Sequence, residues 1–474
     1  MLTPCPHILK RVTCLPAIAL AAVGYLSLPI SGFAAHRPNL VVILADDFSH
    51  SDASLYGGQA ATPHMERLAT EGMTFSRTFQ SAPMCSPTRQ ALYTALHPVK
   101  SGAWPNHAHV YDHVRSVPHY LQANGYRAAL SGKTHYNPHE NFPFERLQGE
   151  KWTNNPNFEK VDEFLSECVA SETPFGLFLT SNEPHTPWNK GDASAYPPDQ
   201  LVLPPPLVDT PTTRSDFSAY LAEITYFDSQ VGEALAALEK HGLVDNTIVI
   251  VLTEQGNAFP FAKWTCYDIG VGSGMVIRWP GTVEAGSTSD ALIEYIDIVP
   301  TFLEAAGLPI PNGLDGRSFR AVLTGESTTH KDYAFALQTS TGINGFPGYY
   351  GIRTVRDDRF RYIRNLTPWV SFRNAVFRND YWNEWVAAAE AGEPDAMFAV
   401  RRYQHRPAEE LYDCLNDPWN RHNLIDDPAF ASVKSRLSGK LEAWMEEQGD
   451  QGHATEVEAF HRIWKNRNTS TPQR

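Results

Sequence analysis

The chain is poor in cysteine and lacks the features that define several classes of protein. Its six cysteines among 474 residues are too few for a disulfide scaffold. The sequence contains no internal repeat and no low-complexity segment. Its formal net charge of −14 argues against a nucleic-acid partner, because an acidic chain repels polyanions at long range.

Long apolar runs are also scarce, and the one candidate lies at the N-terminus. A basic start precedes an apolar stretch over residues 15–30, and Gly32 and Ala34 place small side chains where a cleavage site needs them. This layout predicts a signal peptide over residues 1–35, with an uncleaved anchor as the alternative. We expect a periplasmic or secreted protein with no integral membrane span after cleavage.

What the chain does contain is an alternation of buried strands and amphipathic helices. Apolar runs at 39–44, 127–131, 175–179 and 247–252 are separated by helical patterns. This order predicts an α/β fold with a large, mostly parallel central sheet between helices.

The character of the sequence changes near residue 345. We expect an α/β domain over residues 36–345 and a smaller C-terminal α+β subdomain over 346–474 with an antiparallel sheet. In the latter, residues 349–365 predict a hairpin that turns at Asp357 and Asp358, and residues 432–448 predict a final helix.

Oxygen-bearing side chains follow two of the predicted strands. Asp46 and Asp47 end the first strand, and Glu254 and Gln255 end the fourth. Sites collect at the carboxyl ends of strands in α/β sheets, and these groups are hard ligands suited to Ca²⁺ or Mg²⁺. The alternative is that the aspartates cap a helix or lie in a solvated loop.

Cations occur at the same kind of position. Lys133, His135 and His185 follow predicted strands, Lys263 follows the Glu254 pair, and Arg89 opens a helix. Each has an ordinary structural explanation, but together they indicate a site for a tetrahedral anion. Such a site could stabilise the charge that develops in sulfuryl or phosphoryl transfer.

The most specific motif is C-S-P-T-R at residues 85–89. It matches the C-x-P-x-R signal whose cysteine, in the sulfatase family, is oxidised to formylglycine by a modification enzyme. Taken alone, Cys85 could instead be an ordinary buried cysteine before a helix.

The order of motifs over almost the whole mature chain resembles the formylglycine-dependent sulfatases. The matching blocks are R-P-N…D-D, C-S-P-T-R, G-K-x-H, P-H-x-P, E-Q-G, R-W-P-G and D-I-V-P-T-F-L-E-A-A-G, then E-L-Y-D…D-P…N-L. The resemblance implies an alkaline-phosphatase-like fold, one Ca²⁺ and a nucleophile made from Cys85.

The resemblance also implies a role for each site residue. The metal ligands would be Asp46, Asp47, the modified Cys85, Glu254 and Gln255. Arg89 and Lys133 would hold the aldehyde hydrate and the sulfate, and His135 would take the proton that lets the sulfated intermediate collapse. His185 and Lys263 would bind sulfate and protonate the leaving oxygen.

Two departures from the family pattern bear on these roles. Glu254 and Gln255 stand where the family usually has Asp followed by His or Asn, and each side chain is longer by one methylene. The sequence after Lys263 is nearer to the branch that includes heparan N-sulfatase, which hints at an N-sulfate substrate.

The expected substrate is a sulfated carbohydrate, as in the degradation of sulfated polysaccharides. His107 and His109 lie in a histidine-rich loop and are candidate substrate contacts. An aromatic insertion over residues 369–385 could stack on sugars or form a hydrophobic interface between subdomains. Two other functions remain open here: a phosphonate monoester or phosphodiester hydrolase, and a catalytically inactive protein that binds sulfated glycans.

Overall fold

The computed structural model describes residues 37–150, 153–343 and 349–466. The predicted signal peptide lies outside these residues. None of the helices in the described part of the chain combines the length and apolar character that a bilayer-spanning segment requires.

A nine-stranded sheet forms the large body of the protein. Its strands are β1 (Asn39–Leu44), β2 (Met73–Phe79), β3 (Arg127–Gly132), β4 (Glu145–Arg146), β5 (Phe175–Thr180), β6 (Thr247–Leu252), β7 (Gly272–Arg278), β8 (Ser287–Ser289) and β9 (Ile293–Glu294). They lie in the order β4-β3-β5-β1-β6-β7-β2-β8, with β9 beside β2. β1 pairs in parallel with β5 and β6, whereas β7 runs antiparallel to both of its neighbours. The expected mostly parallel sheet is confirmed.

Helices cover both faces of this sheet and extend into the C-terminal region. They are α1 (Pro63–Thr70), α2 (Cys85–Thr94), α3 (Pro98–Ser101), α4 (Val117–Gln122), α5 (Phe158–Ala170), α6 (Pro211–Lys240), α7 (Asp268–Val271), α8 (Ile298–Ala305), α9 (Arg320–Leu323), α10 (Asp380–Glu390), α11 (Pro394–Gln404), α12 (Ala431–Gln448) and α13 (His453–Arg462). Successive residues of a strand point to opposite faces. Val41 and Ile43 of β1 therefore join one apolar core and Leu40 and Val42 join the other, which explains why the whole strand is apolar.

A second, four-stranded sheet is antiparallel throughout. Its strands are β10 (Ala334–Thr339), β11 (Gly351–Arg356), β12 (Phe360–Asn365) and β13 (Glu409–Asp413), paired in that order. β11 and β12 form the expected hairpin around Asp357 and Asp358. The first strand of this sheet, β10, lies before residue 346, inside the segment that was expected to belong to the α/β domain. The boundary between the two domains therefore remains a prediction.

The aromatic insertion folds as helices that pack into the protein. Tyr381, Trp382 and Trp385 of α10 are buried, and Trp385 Nε1 donates a hydrogen bond to Thr213 Oγ1 of α6 at 2.8 Å. These aromatics therefore form an internal interface, not a sugar-binding surface. Trp369 differs from them, because 75% of it is exposed.

The last helix, α13, was not expected, since the sequence reading ended at α12. Its buried residues are Thr455, Glu456 and Ala459, so it has almost no apolar stripe. The helix is instead anchored to the protein by a buried ion pair. Arg353 of β11 pairs with Asp450 and places Nη1 2.9 Å from Glu456 Oε1.

Replacing Arg353 with alanine should strongly destabilise the C-terminal region. The substitution leaves two buried carboxylates without their cation, a change that typically costs about 3–5 kcal/mol. Urea unfolding measures the loss, and Arg115→Ala, at an exposed side chain, is the control. Equal stability of the two variants would show that the buried pair is unimportant.

Candidate active site

The carboxyl ends of β1 and β6 meet because these strands are adjacent, parallel and in register, with Leu44 opposite Leu252. Asp47 and Glu254 then leave their strands with φ angles of 62° and 67°, a left-handed conformation that is uncommon for non-glycine residues. The backbone N–H of Asp47 donates to Glu254 Oε2 at 3.4 Å. The four predicted oxygen ligands are thus brought together, and all are fully buried.

Cys85 begins α2 and lies against this group. Gln255 Nε2 donates to Cys85 Sγ at 3.4 Å and to Asp47 Oδ1 at 2.7 Å. Burial, together with the negative charge of Asp46, raises the pKa of the Cys85 thiol to about 12. The unmodified thiol is therefore protonated at neutral pH and is a poor nucleophile.

Three cations neutralise the carboxylates. Arg89, one turn beyond Cys85 on α2, places Nε 2.8 Å from Glu254 Oε1 and Nη2 3.4 Å from Asp46 Oδ2. Lys133 Nζ contacts the Asp46 carboxylate, and Lys263 Nζ lies 2.6 Å from Asp47 Oδ2.

The charges shift the two carboxyl pKa values in opposite directions. Burial opposes the ionisation of Asp46, yet Lys133 and Arg89 hold the pKa of this group well below its usual value. For Glu254, burial and the charge of Asp46 outweigh the effect of Arg89 and raise the pKa well above its usual value. The buried carboxyl groups are therefore stabilised by neighbouring charged side chains and not by solvent.

Two histidines border the charged group. His185 Nδ1 lies 2.7 Å from the carbonyl oxygen of Thr186, which leaves Nε2 facing Asp47 Oδ2 at 3.6 Å. Burial and the charge of Lys263 lower the pKa of His185. With Nδ1 donating to that carbonyl, Nε2 is the nitrogen available for proton transfer.

His135 lies at the edge of the site and contacts one of the expected substrate residues. Its Nε2 is 2.9 Å from His107 Nδ1, and burial with the charge of Lys133 lowers its pKa well below the usual value. His109 is placed differently, because its ring packs on Trp464 with the centroids 5.8 Å apart.

One neighbour of the site was missed by the sequence reading. Asn182 Oδ1 accepts a hydrogen bond from Lys133 Nζ at 3.4 Å. It stands two residues after the end of β5, as Asp46 stands two residues after the end of β1, so its position after a buried strand was the available signal.

The donor set fits a divalent cation. Asp46, Asp47, Cys85 and His185 each offer a ligand atom, and these atoms lie within 4.8 Å of one another. Asp46 Oδ1 and Gln255 Oε1 are buried without a hydrogen-bond partner, which a hard cation could supply. Glu254 is outside this group, since its oxygens meet Arg89 and the Asp47 N–H.

Comparison with known proteins gives consistent matches. Residues 38–308 match the family model described as Sulfatase, and residues 256–373 match N-sulphoglucosamine sulphohydrolase, C-terminal. An ulvan-active sulfatase of Formosa agariphila is 31% identical over 87% of this chain and 81% of its own length. N-sulphoglucosamine sulphohydrolase of Homo sapiens is 26% identical over 89% of this chain and 92% of its own length.

The solved structures agree on the fold. A sulfatase-like structure from Bacteroides fragilis has a TM-score of 0.68 at 19% identity, covering 88% of this chain and 97% of that chain. A protein solved with its substrate D-glucosamine-2-N,6-O-disulfate has a TM-score of 0.65 at 19% identity and covers 88% and 99% of the two chains.

Added calcium should stabilise the protein through this site. A cation at about 100 times its Kd stabilises the folded state by about 2.7 kcal/mol, and thermal unfolding with CaCl₂ against EDTA measures the shift. Asp47→Asn should abolish the response. Asp52→Asn is the matched control, because Asp52 is another buried aspartate and lies outside the ligand group. Burial raises the pKa of Asp52 to about 7, so its replacement by a neutral amide changes the charge less than it would at an ordinary aspartate. A full response in Asp47→Asn would contradict the assignment.

Proposed function

We propose that this chain, which belongs to the sulfatase family and is a sulfuric ester hydrolase, removes sulfate from sulfated carbohydrates. The observation that carries the proposal is the buried Cys85 at the start of α2, enclosed by Arg89, Lys133 and Lys263 and by carboxylates at the end of the sheet. The names of the relatives support the substrate class, since they act on ulvan or on N-sulphoglucosamine.

Cys85 is proposed to act after its oxidation to formylglycine by a separate modification enzyme. The C-S-P-T-R motif supports this, and so does the raised pKa of the thiol, which leaves the unmodified side chain inert. The hydrated aldehyde would supply the nucleophile for attack on sulfur. Lys133 pairs with Asp46, whose carboxylate lies beside Cys85, and Arg89 lies one turn further along α2, so both can orient the reacting groups.

Calcium is the proposed metal, held by Asp46, Asp47, modified Cys85, Glu254 and Gln255. When bound, a divalent cation polarises sulfate oxygens as a Lewis acid. Lys133 and Arg89 hold the pKa of Asp46 well below its usual value, and Lys263 Nζ pairs with Asp47. Glu254 would have to exchange its contact with Arg89 for a bond to the metal. His185 offers a further donor atom close to those of Asp46, Asp47 and Cys85.

The remaining groups are proposed to move protons. His185 and Lys263 both face Asp47, and they would bind sulfate. The negative charge of a bound sulfate would raise the pKa of His185, so that its Nε2 could carry the proton that is given to the leaving sugar oxygen. His135, whose pKa is lowered by burial and by Lys133, is neutral at physiological pH. It could therefore accept a proton from the hydroxyl left on the modified Cys85.

The proposal is tested by sulfate release from ulvan and from heparan sulfate, measured beside 4-nitrophenyl sulfate and an aryl phosphodiester. We expect carbohydrate desulfation with little phosphodiester hydrolysis, and Cys85→Ala should lose turnover while keeping its fold. Mass spectrometry of the Cys85 peptide should show the aldehyde. An unmodified thiol in active protein, or faster phosphodiester hydrolysis, would contradict the proposal.

His185→Ala should separate proton donation from sulfate binding. Loss of a general acid typically lowers kcat by about 100-fold or more, but only where the leaving group needs the proton. The decrease should be large for a carbohydrate sulfate and small for 4-nitrophenyl sulfate, whose phenolate leaves unaided. Equal decreases on both substrates would assign His185 to binding alone.

A further inference from the structure

We infer that the exposed side of α13 and the turn that follows it bind the glycan chain of the substrate. This inference rests on the proposed function, since it takes the substrate to be a sulfated oligosaccharide. It concerns a surface that runs from the edge of the active site to the exposed ring of Trp369. We call this surface the α13 track and define it by His107, Lys465, His461, Val457, His453 and Trp369.

The first end of the α13 track adjoins the catalytic groups. The segment after α13 is fixed to the loop of His107, because Trp464 N–H donates to the His107 carbonyl oxygen at 2.9 Å and Ile463 forms a β-bridge with Ala108. His107 in turn contacts His135. Lys465 is exposed and directly follows Trp464, whose N–H is bonded to the His107 carbonyl oxygen, so it lies next to the His107 loop.

The middle of the α13 track is a stripe along the helix. His453, Val457 and His461 are spaced by four residues, which places them on one face. Val457 is 46% exposed, so this apolar side chain is available for contact. Glu458, the neighbouring exposed acid, lies about 100° further around the helix.

The far end is an aromatic platform. The ring of Trp369 is stacked on that of His453, with centroids 5.9 Å apart and planes at 28°. Tyr349 Oη lies 3.4 Å from His453 Nδ1, and this contact helps to fix the imidazole ring of His453. An exposed, supported indole presents a flat apolar face of the kind on which a sugar ring can stack.

The chemistry of the two ends indicates an anionic chain of some length. The protein carries a net charge of −14, which repels anions at long range. The exposed Lys465 places a positive charge beside the active site, and this charge favours a second sulfate or carboxylate near the scissile group. The ten residues of α13 span about 15 Å. A monosaccharide cannot reach both ends, whereas an oligosaccharide can.

Binding is best measured in Cys85→Ala protein, in which turnover does not interfere. Disaccharide and octasaccharide pools from ulvan and from heparan sulfate are titrated by calorimetry. We expect a preference for the octasaccharide that decreases about fivefold in Trp369→Ala and persists in Trp369→Phe. Lys465→Gln should weaken octasaccharide binding about two- to fivefold at low salt, and the effect should vanish at 1 M salt, where charges are screened beyond about 3 Å.

Lys440→Gln is the matched control, because it removes one cation from α12, outside the α13 track. Unchanged octasaccharide preference in both Trp369→Ala and Lys465→Gln, or no binding of any pool, would overturn the inference. Sulfate release by the unsubstituted protein is measured separately. If it is absent, the proposed function fails, whereas release together with unchanged binding in the variants refutes the α13 track alone.

Discussion

The structure depends on the compensation of buried charge where β1 and β6 end. Asp46, Asp47 and Glu254 are fully buried, and each lies in contact with Arg89, Lys133 or Lys263. Removing Lys263, for example, would leave Asp47 without the cation that lies 2.6 Å from it, in a medium that solvates ions poorly. The strands, the start of α2 and the loops after β3 and β6 are therefore tied to one another by the same set of ion pairs that forms the reaction site.

Much of this arrangement could be predicted, because parallel strands place their carboxyl ends together. The apolar runs that became β1, β3, β5 and β6 were recognised by their length and flanking residues, and each of them ends beside a site residue. The sequence order of Asp46, Lys133, His185 and Glu254 thus translates into proximity as soon as the sheet is assumed to be parallel. The remaining residue of the site, Cys85, was predicted from the C-S-P-T-R motif, because the hydrophobic pattern of the sequence gives no information about its position.

Other features depend on contacts that the sequence does not display. The proximity of His185 to the ligand atoms, with Glu254 turned toward Arg89, results from side-chain conformations and not from residue type. Helix α13 escaped prediction because a buried ion pair with Arg353 replaces the apolar stripe on which helix recognition relies. The aromatic insertion was ambiguous for a similar reason, since composition cannot separate buried rings such as Trp385 from the exposed Trp369.

The burial of Cys85 also constrains the order of events in making the active protein. All ten residues of α2, including the whole C-S-P-T-R motif, are buried, so a modification enzyme cannot bind this segment in the folded chain. Under the proposed function, oxidation must therefore precede folding of the α/β body.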